Sequence, residues 1–142
     1  MTIMRLLTLN ENLAHRFVTS QDADAARKIF ENIFHACIDR CEDDMFVLLE
    51  HEDLIEAMKS GIVPENFDFQ RLSNIMDENY FDAEDDGRDT DAATYFSLAR
   101  LMSALSFATN ATEYTSFADA AYEAIMALSD PQLASGQIAA EI

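Results

Sequence analysis

Apolar side chains return every third or fourth residue along most of this 142-residue chain, the period of helices with one buried face. Segment 2–18 places Ile3, Leu6, Leu7, Leu13, Ala14, Phe17 and Val18 largely on one stripe, which predicts a first helix. Ser20 or Asp22 can cap the next, over 22–42, because a short side-chain oxygen accepts from the free N–H groups of a first turn. There Ala26, Ile29, Phe30, Ile33, Phe34, Cys37, Ile38 and Cys41 form the buried face, and Arg27, Lys28, Glu31, Asn32 and Asp39 the wet one. The run Met45 to Leu49 is open to two readings, a short strand or the opening turn of a helix. A helix follows over 51–60, with Lys59 in its last turn and Gly61 just beyond as the stop. Another spans 68–79 on Phe69, Leu72, Ile75 and Met76.

The pattern lapses over 77–91, DENYFDAEDDGRDTD, which holds eight acidic residues, one basic residue and Gly87. With no helical stripe, this segment is expected to be a loop. Thr90 or Asp91 would cap a helix over 91–108, built on Ala92, Phe96, Ala99, Leu101, Met102 and Leu105. Ser116 would cap one over 117–128, with Asp119 completing a short capping box. Asp130-Pro131 opens a last turn or short helix. No internal repeat or linker divides the chain. The expectation is an all-α fold, a single compact bundle of five to seven helices over residues 1–142.

Composition narrows the function classes. Hydrophobic residues make up 49% of the chain, too many for an acidic disordered tail, and 2 Cys are too few for a disulfide scaffold. No apolar run approaches the length that spans a bilayer, and no export signal opens the chain, which points to a cytoplasmic protein with reduced thiols. A net charge of −18 opposes direct nucleic-acid binding, which needs cations to neutralise phosphates.

Motifs for chemistry are weak. Asp82-x-Glu84-x-Asp86-Gly87 matches the first half of a calcium-binding EF-hand loop, but position twelve, which should be a bidentate Glu, is Ala93. A solvated acidic loop with a turn glycine is the better reading. Cys37 and Cys41, one turn apart, lack a second pair to complete a metal site and lie on the apolar stripe. His15, His35 and His51 show no ligand spacing, and no nucleophile elbow, P-loop or dinucleotide motif is present. No metal, cofactor or catalytic residue is implied. The chain is expected to act by binding and not as an enzyme.

The charge itself remains. Small domains stay soluble with a net charge of about 2–8 in magnitude, so −18 exceeds that need and opposes compaction. Its use would be attraction to a strongly basic protein, whose encounter such a field would steer. The residues assigned to that contact are Asp82, Glu84, Asp85, Asp86, Asp89 and Asp91, with Glu50, Glu52 and Asp53 as a second patch. Tyr80 and Phe81, which interrupt the acidic segment, would be aromatic anchors or pin the loop to the core.

A reduced, acidic, all-helical chain of this size resembles the small immunity proteins of bacterial toxin–immunity systems, those of contact-dependent growth inhibition among them. The likeness lies in arrangement: an aromatic-rich helix at 29–38, a short acidic helix at 51–60, then an acidic stretch leading into Asp91-Ala92-Ala93. The resemblance implies a protein that binds and neutralises a cognate basic toxin, a nuclease, and it assigns no individual residue. The alternative is a DNA mimic that occupies a nucleic-acid-binding defence protein through phosphate-like spacing of its carboxylates.

Overall fold

The computed structural model describes residues 4–61, 63–64 and 66–142; Ile3, assigned above to the first stripe, lies outside them. Among the described residues the chain is all-helical: α1 (Arg5–Leu9), α2 (Glu11–Val18), α3 (Ala23–Asp39), a 3-10 helix (Asp43–Leu49), α4 (Glu52–Lys59), α5 (Phe69–Asp85), α6 (Asp89–Thr109), α7 (Tyr114–Met126) and α8 (Pro131–Glu141). One buried apolar cluster draws on every one of these elements, from Leu6 to Ile138. Helix α7 lies at its centre and touches α1, α2, α3, α6 and α8. Ala118, Ala120, Ala121 and Ala124 make that possible, because methyl-sized side chains let neighbouring helices approach closely. Larger side chains fill the space around it: Phe17, Phe30, Phe46, Leu98 and Met102 are fully buried. Each contributes about 1.5–3 kcal/mol by leaving water.

Three boundaries differ from the sequence expectation, each for a local reason. Residues 5–18 form two helices rather than one. Asn10 adopts extended backbone (φ −156°) and its side-chain oxygen accepts from the Leu13 N–H, so it caps α2 and breaks the stripe. The last helix is full length, with Asp130 accepting from the Leu133 N–H and Pro131 at the first position. Its Gln132 amide donates to the Leu9 carbonyl, satisfying an acceptor at the end of α1. Among the described residues, eight α-helices and a 3-10 helix therefore replace the expected five to seven. The third change is the largest. The stretch expected to be a loop continues α5 to Asp85, and only Asp86, Gly87 and Arg88 connect it to α6.

The remaining expectations divide: the early caps and stops hold and the caps of α6 and α7 do not. Asp22 caps α3, accepting from the Ala25 N–H at 2.8 Å. Residues 45–49 lie within the 3-10 helix, which Glu50 ends in a left-handed conformation (φ 56°). Helix α4 stops at Gly61, whose φ of 78° suits glycine. Helix α7 begins at Tyr114, ahead of Ser116, and Asp119 pairs with Arg5 at 3.8 Å rather than serving a capping box. Neither Thr90 nor Asp91 caps α6; Arg88 occupies that position without a side-chain capping bond. Among the described residues no helix is long and apolar enough to cross a membrane.

Candidate partner-binding face

Helices α5 and α6 form an antiparallel hairpin. They meet along Ser73, Met76 and Ala83 of α5, and Ala92 and Ala99 of α6. The buried Ser73 hydroxyl bonds to the Ala99 carbonyl at 3.2 Å and to the Ser103 hydroxyl at 2.9 Å, tying the two helices together. At the tip the Arg88 N–H donates to the Ala83 carbonyl at 2.8 Å and the Gly87 N–H to the Glu84 carbonyl at 3.1 Å, with Gly87 at φ 74°. This crossed pair of bonds is a Schellman cap, which satisfies the last carbonyls of α5 and reverses the chain in three residues.

The hairpin displays most of the residues assigned to a partner. Asp82, Glu84 and Asp85 sit in the last turn of α5, Asp86 in the connection and Asp89 at the start of α6, all exposed; Asp91 is half-buried. Arg88 is the single cation among them and is shared between Asp86 at 3.6 Å and Asp91 at 3.2 Å. The EF-hand reading fails on this geometry. Asp82 and Glu84 lie on a continuous helix, about 200° apart around its axis, and cannot converge on one ion. Among the described residues no group of three or more His, Cys, Asp or Glu is arranged to hold a metal.

Tyr80 and Phe81 resolve into different roles. Tyr80 is half-buried. Phe81 is 63% exposed. Their rings lie 5.2 Å apart, and Tyr80 is 6.0 Å from Phe96 of α6, so three rings run across the hairpin. Phe96 was placed on a buried stripe above; it is 41% exposed and belongs to this row. The Glu84 carboxylate, one turn on, holds the Tyr80 phenol's pKa above its ordinary value.

Of the second patch, Glu50 approaches the hairpin. Glu50 and His51, at the corner between the 3-10 helix and α4, line a cavity of about 210 Å³ together with Leu72, Asn79 and Tyr95. Asn79 is one turn before Asp82 on α5, so residues distant in sequence adjoin on the surface. Glu52 and Asp53 are exposed in the first turn of α4, where the helix dipole favours a carboxylate.

One further feature escapes the sequence patterns, and the cysteines follow them. Glu123 on α7 is 6% exposed and takes Arg100 of α6 at 2.6 Å and Arg5 of α1 at 3.4 Å. Arg100 also lies over the Phe96 ring, 5.3 Å from its centroid. A charged residue amid the alanines of α7 was the available signal, but its partners lie 23 and 118 residues away. Cys37 and Cys41 are free thiols, and the Cys41 Sγ donates to the Cys37 carbonyl at 3.2 Å. Burial pushes the Cys41 thiol up to about 11 and Cys37 higher still, so neither is a thiolate nucleophile at neutral pH.

Comparison with protein-family models, with curated proteins and with solved structures finds no match.

Proposed function

We propose that this protein is an immunity-type inhibitor, which binds a basic toxin, a nuclease, through the acidic face of the α5–α6 hairpin and neutralises it. The observation that carries this reading is where the charge sits. Asp82, Glu84 and Asp85 occupy the last turn of α5, the negative end of the helix dipole, with no basic residue in that turn. Side chains placed for stability would be Lys or Arg there. Charge held against the local preference is the pattern of a surface kept for a partner. Glu50, Glu52 and Asp53, all exposed, would be a second patch, and Tyr80 and Phe81 would supply apolar contact. The protein would act in the cytoplasm, without a cofactor and without catalysis. Clustering of carboxylates at one tip supports this reading over a DNA mimic, whose charges would follow phosphate-like spacing.

The test is to express the reading frame immediately upstream, alone and with this one. Growth arrest alone, relieved on co-expression with a complex that co-purifies, is the expected result. An upstream product that is harmless and forms no complex would overturn the proposal. Capture of a nucleic-acid-binding defence protein in its place would establish the mimic.

A further inference from the structure

The surroundings of Phe81 specify more than a basic partner. Its ring is among the most exposed large apolar groups of the molecule. On a helix, the residues that flank position i on the same face are i−4, i−3, i+3 and i+4. For Phe81 these are Asp77, Glu78, Glu84 and Asp85, all carboxylates, and all four are exposed. An apolar partner seated on this ring would press against four carboxylates and strip water from them without return, at a cost of several kcal/mol. A second copy of this chain or an anionic lipid surface would bring like charge to like. A cation meets the opposite situation. The face of an aromatic ring is itself electronegative, so ring and carboxylates attract the same charge. The molecule already contains such a contact in the same row of rings, where Arg100 lies over Phe96 and is held by Glu123.

We infer that Phe81 is a seat for an arginine side chain of the partner, its guanidinium stacking on the ring while the four flanking carboxylates take its N–H groups. Arginine fits better than lysine because its guanidinium is planar, weakly hydrated and able to stack and donate at once, whereas an ammonium is compact and strongly hydrated. The inference rests on the acidic-surface reading above and adds the chemistry of the contact.

Two synthetic peptides of equal length and charge test it, one alternating Arg with Gly and the other Lys with Gly. Each is titrated calorimetrically into the full chain. The Arg peptide is expected to bind about three- to fivefold more tightly. Phe81→Leu, which keeps apolar volume at an exposed position, should reduce that ratio to near one, and Phe81→Tyr should retain it. Glu78→Gln with Asp85→Asn should weaken both peptides and leave the ratio. A ratio indifferent to Phe81→Leu would overturn the inference and leave the acidic-surface reading standing. Failure of both peptides to bind would overturn both.

Discussion

The hairpin tip and the Glu123 cluster use the same chemistry in opposite proportions. Residues 82–91 hold six carboxylates and one arginine, open to water. The Glu123 carboxylate, itself out of water, meets two partly exposed arginines, one of them shared with Asp119. Desolvation explains the inner arrangement. A carboxylate removed from water must recover several kcal/mol from partners, and a single exposed guanidinium would not suffice. At the tip water solvates each carboxylate, so local stability does not require pairing and the imbalance is tolerated. Charge near the core is thus dictated by the fold, whereas charge at the tip is free to serve something else.

The comparison breaks first at Arg100. Arg100→Met leaves Glu123 buried with Arg5 alone, at the longer distance of 3.4 Å. Denaturant unfolding should show a loss of about 2–3 kcal/mol. A loss under about 0.5 kcal/mol would mean that water reaches Glu123 and that the two regions do not differ in kind.

Thiol chemistry sharpens the same contrast on the buried side. Cys41 has its pKa raised from 9.0 to about 11, so at pH 8 its alkylation should be about a hundredfold slower than in the urea-unfolded chain. The sign for stability follows. Between 9.0 and about 11 the unfolded thiol ionises first while the folded one keeps its proton. Stability is therefore whole below 9.0 and falls as pH rises through that window. Equal labelling rates in the folded and unfolded chains would contradict this.

Two stop glycines extend the test to the backbone. Gly61 and Gly87 share a left-handed conformation, φ 78° and 74°. A Cβ on Gly61 would stand 3.0 Å from the His35 ring, whereas one on Gly87 meets nothing within 4 Å. Gly61→Ala should cost about 2 kcal/mol and Gly87→Ala about 1 kcal/mol, the latter from backbone strain alone. Thermal melts of the two variants measure the difference; equal losses would show that His35 moves aside freely.

How much of this could be read from the chain depends on which force acted. Helices α3 and α4 announce themselves because their apolar stripes are wide and their caps local, Asp22 before one and Gly61 after the other. The second half of α5 does not. Its buried line is only Met76 and Ala83, with Tyr80 half-buried between them, and Asp77, Asn79, Asp82 and Asp85 have poor helix preference. Tertiary pairing with α6 and the Schellman cap at Gly87 decide that it is helical, and neither is visible in a single window of sequence. The spacing of four and three from Met76 to Tyr80 to Ala83 was the one usable trace. Among the assigned site residues, the acidic set was legible from charge alone. The approach of Glu50 and His51 to Asn79 of α5 around the 210 Å³ cavity, and the recruitment of Phe96, depended on the fold.

The smallest effect separates the two ends of the hairpin from each other. Asp82, Glu84 and Asp85 lie at the C-terminal end of α5, and Asp89 and Asp91 at the N-terminal end of α6. The helix dipole opposes the first set and favours the second. Neutralising the first set (Asp82→Asn, Glu84→Gln, Asp85→Asn) should therefore stabilise the domain by about 1 kcal/mol at low salt. Neutralising the second (Asp89→Asn, Asp91→Asn) should destabilise it by about 0.5–1 kcal/mol, since the Arg88 pair is lost as well. Both differences should shrink as salt rises, because exposed charges are screened within about 8 Å at physiological ionic strength. Matched denaturation curves at low and high salt read both signs at once. If the first set proves neutral or destabilising on removal, those carboxylates serve the fold, and the case that they are held for a partner loses its physical basis.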